Sequence, residues 1–107
     1  MSELRTIKIP IDISLLKEVA HELNWKVEEN APIYGFSTKN FIGEVVLKPK
    51  TSPDIGVVKG KLVYDSTAHK NAELLMKKYY YYLLRKKGLN VHMIENDSYV
   101  MYAIKSI

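Results

Sequence analysis

The sequence predicts an α+β fold, a two-layer sandwich in which an antiparallel sheet of five to seven strands carries two helices on one face. Three observations predict it. Two segments repeat apolar residues at helical spacing, while the rest of the chain is cut into short alternating runs by Pro, Gly and Asn. The connections between those runs are too short for the crossovers that parallel strands need. With 107 residues there is length for one core only, so residues 1–107 read as a single α+β domain.

The elements follow in the order β-α-β-β-(β-turn-β)-α-β-β. Residues 4–9 alternate, with Ile7, Ile9 and Ile11 to one side, and Pro10 stops the strand. Asp12 or Ser14 can cap the first helix by accepting a backbone N–H. Leu15, Leu16, Val19, Ala20 and Leu23 then form one apolar stripe, with Lys17, Glu18 and Glu22 outside it, and Asn24 ends the helix. Trp25, Val27 and Glu29 alternate with Lys26, Glu28 and Asn30 as a short strand with one wet face. Residues 31–40 carry Pro32 and Gly35 and read as a loop or an irregular edge. Phe41 to Lys48 is a strand ended by Pro49, and residues 50–53 are a linker. Ile55 to Val58 and Lys61 to Tyr64 flank Lys59-Gly60, a two-residue turn in which Gly60 takes positive φ. Gly43 and Gly56 lie inside strands, where a bulge or a close backbone approach is the usual reason for glycine.

Ser66 or Thr67 caps a second helix that runs to about Lys87. Its inward stripe is Ala68, Ala72, Leu75, Tyr79, Tyr82, Leu83 and Lys86. Gly88 suits the left-handed residue after a helix, and Leu89 its apolar return contact. Two alternating strands, 90–95 and 98–105, close the chain around Asn96-Asp97. Both faces of the last are apolar or aromatic, which predicts that this hairpin is central in its sheet.

Composition excludes several classes. Apolar residues make up 47% and charged residues 26%, an ordinary globular mix. The chain has no cysteine, so disulfide scaffolds, zinc–thiolate sites, iron–sulfur clusters and thiol catalysis are out. No apolar run approaches the ~20 residues of a membrane span, and the first ten residues lack a signal-peptide core. A cytoplasmic protein with no membrane partner is the expectation. The net charge is +4, and its location matters more than its size. Between Ser66 and Leu89, six cations (Lys70, Lys77, Lys78, Arg85, Lys86, Lys87) face one acid, Glu73, so the rest of the chain sums to −1. An electrostatic partner is therefore expected on the second helix.

That helix holds Lys77-Lys78-Tyr79-Tyr80-Tyr81-Tyr82-Leu83-Leu84-Arg85-Lys86-Lys87. Aromatic faces stack on bases and cations neutralise phosphate, so interleaved Lys and Tyr can serve a single strand of nucleic acid. On a helix, however, consecutive tyrosines diverge by 100°, which sends Tyr79 and Tyr82 to the core. Lys77, Lys78, Tyr80, Tyr81 and Arg85 remain as candidate partner-binding residues. The plainer reading is an amphipathic helix with a solvated basic rim, its last cations opposing the negative helix end.

Other constellations are weaker. His21, His69 and His92 are scattered and show no metal-ligand spacing, so neither a metal nor another cofactor is expected. Asp54 and Asp65 stand at the open end of the 55–64 hairpin, where two close acids can do acid–base work. Their structural reading is a turn residue and a charge before a helix start. The five glycines form no phosphate-binding loop, and no nucleophile elbow is present.

In order, Thr6-Ile7-Lys8, the Leu16–Leu23 helix followed by Trp25, Gly35, Glu44-Val45-Val46, Asp54-Ile55-Gly56, Asp65, Tyr79, Tyr82 and Gly88-Leu89-Asn90-Val91 resemble the domain of unknown function 1257 family. The likeness spans nearly the whole chain. It departs from the family at Asn96-Asp97-Ser98, where Asp-Gly is usual, and in an abbreviated 54–65 region. It implies no activity and no site residues. The expected function is thus a small non-enzymatic protein acting through a protein partner or self-association as a homo-oligomer. The alternative is weak RNA or single-stranded DNA binding by the second helix.

Overall fold

The chain forms β1 (Leu4–Ile7), α1 (Ile13–Glu22), β2 (Lys26–Pro32), β3 (Ile42–Lys48), β4 (Ile55–Val58), β5 (Lys61–Asp65), a 3₁₀ turn (Ser66–Ala68), α2 (His69–Lys86), β6 (Leu89–Ile94) and β7 (Val100–Lys105). The computed structural model describes residues 3–8, 11–86, 89–94 and 100–105, the last two ranges by backbone alone. Five strands make one sheet in the order β1-β5-β4-β3-β2, every pair antiparallel. β2 to β5 follow one another as a meander. β1 then adds to the outer side of β5, with Leu4 opposite Asp65 and Ile7 opposite Leu62. The β4–β5 turn has φ 51° at Lys59 and 76° at Gly60, the doubly positive pair that matches strand twist.

Alternation sorts the sheet into two faces. Val45, Leu47, Ile55, Val57, Leu62 and Tyr64 point to one side, and there they meet Leu15, Leu16, Val19 and Ala20 of α1 and Ala72, Leu75, Met76 and Tyr79 of α2. Both helices therefore cover the same face, as the two-layer reading requires. Each aliphatic side chain buried there stabilises by about 1.5–3 kcal/mol.

α1 is closed at both ends by local chemistry. The Leu15 N–H donates to the Asp12 carboxylate at 3.2 Å. At the other end Asn24 takes φ 59°, its N–H reaches the His21 carbonyl at 3.0 Å, and the Trp25 N–H reaches the Ala20 carbonyl at 2.9 Å. These two bonds satisfy carbonyls a helix end leaves orphaned, and they turn Trp25 into the core.

Three expectations are corrected. Asp65, one residue earlier than expected, caps the second helical segment by accepting from the Thr67 N–H and hydroxyl, because its extended φ/ψ points the carboxylate along the helix axis. Ser66, offered as a cap, instead accepts the Glu3 N–H at 2.8 Å. The terminal hairpin is not central: β6 and β7 pair only with each other, as a separate two-stranded sheet. β2 to β5 pair directly with one another and leave no gap in the meander, and β1 already occupies the open side of β5. The Gly88 helix stop and the Asn96-Asp97 turn lie outside the described residues.

On α2 the structure adds Met76 to the buried stripe and completes its contacts with α1. The Asp12 N–H donates to the Tyr79 hydroxyl at 2.8 Å, and Lys86, reaching from an exposed position, sits 3.6 Å from the Asp12 carboxylate. Tyr82 donates to Glu22. That bond and burial raise its phenol above the ordinary value of 10.0.

The other sheet face has no helix. The loop 33–41 folds back across it, anchored by Ile33, which is 1% exposed. A Cβ on Gly56 would stand 2.2 Å from Ile33 Cδ1 and 2.5 Å from Cγ1, so the bare glycine is the dent into which Ile33 fits. Among the strand ends, β2 is an edge interrupted by Asn30 at φ 48° and by Pro32, with Glu28 and Glu29 between them and Lys26.

Candidate functional site

The five residues singled out on α2 do not form one platform. Tyr80 is half-buried and packs against the core beside Tyr79, ring centroids 5.8 Å apart. Tyr81 is half-buried and engaged by its own helix: Arg85 donates to its hydroxyl at 2.9 Å and lies 5.6 Å from the ring centroid. One helical turn does place Tyr81 and Arg85 together, as the spacing predicts. Lys77 and Lys78 are half-buried and make no ion pair among the described residues. The helix presents a basic ridge with half-buried rings beside it.

Asp54 and Asp65 are both buried, and both are occupied. The β4–β5 register, continued one step beyond Ile55 and Tyr64, sets them opposite each other. Asp54 accepts the Tyr34 N–H at 2.9 Å and the Lys48 ammonium at 2.8 Å, and its own N–H returns to the Tyr34 carbonyl. Asp65 accepts from the N–H and hydroxyl of Ser37 as well as those of Thr67. Burial pushes the Asp65 pKa up, but the four donors outweigh it and hold the carboxyl at about 2, low from its ordinary 3.8. A carboxylate held this far down is a poor proton donor near neutral pH. The two acids are staples that pin the loop to the sheet.

The pinned loop carries what sequence reasoning missed. Tyr34 is 80% and Phe36 73% exposed, and Ile42 just beyond is 61% exposed. Pro32, Ile33, Tyr34, Gly35, Phe36 and Pro53, with Lys39 as the one charge, line a half-open hollow of about 500 Å³. A second groove of about 470 Å³ is lined by Thr6, Lys8, Asn40, Phe41, Ile42, Val58, Lys59, Lys61 and Val63. It holds three lysines and no acid. Glu44 stands beside it, accepting the Lys59 N–H at 2.8 Å. Two aromatics within a Pro- and Gly-containing loop were the available signal. What the sequence did not show is that lysines from three separate segments gather at this face.

His69 pairs with Glu73 at 2.8 Å and stacks on Tyr64, a local helix contact. Among the described residues no cluster of three or more His, Asp or Glu could hold a metal ion. No helix among them is long and apolar enough to cross a membrane. No family model matches the chain, and no curated protein or solved structure does either.

Proposed function

We propose that this is a non-enzymatic cytoplasmic binding module that meets a protein partner through the loop 33–41. The single observation that carries the reading is the exposure of Tyr34 and Phe36, 80% and 73%, on a segment that is otherwise fastened down. Exposed aromatics on a mobile loop would lose ordering entropy on binding; here Ile33, Asp54 and Asp65 have already fixed the backbone. Large rings beside a concavity are the side chains that anchor protein contacts. The resemblance to the domain of unknown function 1257 family supplies no activity, so the reading rests on this surface.

Site-specific photocrosslinking tests it. A benzophenone amino acid at position 36 should give discrete adducts in native lysate, and one at position 81 should not. Adducts from 81 with none from 36 would move the contact to α2. Light scattering separates a foreign partner from self-association: a concentration-dependent dimer lost on Phe36→Ala would make the partner a second copy.

The second reading, RNA or single-stranded DNA along α2, draws on the Tyr81–Arg85 stack with Lys77 and Lys78 beside it. It expects oligonucleotide affinity that falls steeply with salt. A Lys78→Glu/Arg85→Glu protein that binds oligonucleotide as well as wild type at low salt removes it.

A further inference from the structure

The hollow and the lysine groove are neighbours: Pro32 of the hollow pairs with Ile42 of the groove, and the Ile33 N–H donates to the Phe41 carbonyl at 3.1 Å. Lys39 lines the hollow, and Asn40, Phe41 and Ile42, the next three residues, line the groove. Three residues span at most about 10 Å, so one short extended segment can cross from one depression to the other. The hollow is walled by two prolines, Ile33 and two aromatic rings, the lining of a pocket for an aliphatic side chain rather than a flat stacking surface. Lys39 stands at the hollow and Lys8, Lys59 and Lys61 at the groove, and none of the four makes an ion pair among the described residues. Glu44, bonded to the Lys59 N–H, interrupts a continuous track for a phosphate backbone but leaves the lysine side chains unpaired.

From this charge complementarity we propose that the occupant of the helix-free face is an acidic peptide segment of a protein partner, with an aliphatic anchor in the hollow and carboxylates over the groove. The inference rests on the proposed function and adds the partner's chemistry to it. Recognition divides between two parts. The anchor buries its side chain against Tyr34, Phe36 and the prolines. The flanking acids meet lysines whose flexible stems adjust to them, which gives selectivity and association rate more than tightness.

Titration of ¹⁵N-labelled full-length protein tests this with three probes. These are a peptide carrying Asp and Glu on both sides of a Leu, the same peptide with every acid replaced by Ser or Gln, and a uridine oligonucleotide. The acidic peptide should shift amides in 33–42 and 59–61 and bind about tenfold more tightly than its neutral counterpart, as three or four surface pairs at about twofold each would give. Lys59→Glu/Lys61→Glu should erase that difference. Phe36→Ala should weaken both peptides alike. The charges sit on exposed side chains, so both variants keep the fold, and the wild-type spectrum outside the site checks it.

If the two peptides bind equally and Phe36→Ala weakens both, the charge inference is overturned while the proposed contact loop survives. Peptides that leave 33–42 unshifted, while crosslinks from position 36 persist, overturn the acidic segment alone. An oligonucleotide that outcompetes the acidic peptide and is lost in the double lysine variant overturns the peptide in favour of nucleic acid.

Discussion

The seat of Ile33 on Gly56 gives the sharpest test of how the loop is held. In Gly56→Ala the new Cβ would lie 2.2 Å from Ile33 Cδ1 and 2.5 Å from Cγ1, whereas carbon contacts settle near ~3.8 Å. The Ile33 Cβ, 3.6 Å away, is already at ordinary contact, so the branch beyond it has to give. Ile33 or its loop must shift by more than about 1 Å, and overpacking of this kind costs roughly 3 kcal/mol, the upper end of its usual range. Ile33→Ala removes both clashing carbons but leaves a void, at about 2–4 kcal/mol. The double variant restores ordinary contact, because the added methyl meets only the 3.6 Å neighbour. Its loss should therefore be about 2–3 kcal/mol smaller than the sum of the singles. Urea denaturation followed by the single buried tryptophan, Trp25, measures all three. Additivity within about 0.5 kcal/mol would refute the wedge, because independent sites behave that way.

Asp65→Ala should cost about 3 kcal/mol, combining a lost helix cap with buried donors on Ser37 left unpaired, and urea midpoints read it directly. Because the folded Asp65 pKa is depressed to about 2, its stabilisation is present above pH ~4 and is lost as pH falls from there toward 2. The Asp65→Ala protein should show a shallower acid slope over that window, by on the order of 1–2 kcal/mol. Tyr79→Phe removes the acceptor of the Asp12 N–H at an expected loss of about 1 kcal/mol, checked by the same melts; an unchanged midpoint would show that water replaces the hydroxyl. Phe36→Ala should leave stability within about 0.5 kcal/mol, since the ring is 73% exposed, and a larger loss would mean that the ring is structural.

Local chemistry was readable in the residues. α1 followed from its apolar period and from Asp12, and its stop from Asn24. The Lys59-Gly60 turn, the burial of Tyr79 and the pairing of Tyr81 with Arg85 all depend on neighbours within a few positions. What escaped were fits between distant segments. Alternation in the last strand says that both its faces are apolar, but it cannot say which sheet a strand joins, and the hairpin formed its own. Gly43 and Gly56 announced a close approach, yet not by what. The visitor, Ile33, comes from a loop that polarity alone would leave in solvent. Counting charge along the chain misled for the same reason: a near-neutral remainder folds into separate acidic and basic territories. Lys17 and Lys48 meet Glu29 and Glu28 along β2, and Lys8, Lys39, Lys59 and Lys61 converge elsewhere.

The left-handed kink at Asn30 and the missing amide of Pro32 bear on how the molecule behaves in company. A foreign strand laid along this border would lose its hydrogen-bond partners after a few residues. Assembly along this border then has to recognise side chains, which leaves specificity there to a handful of rings and ammonium groups that can change without endangering the scaffold beneath.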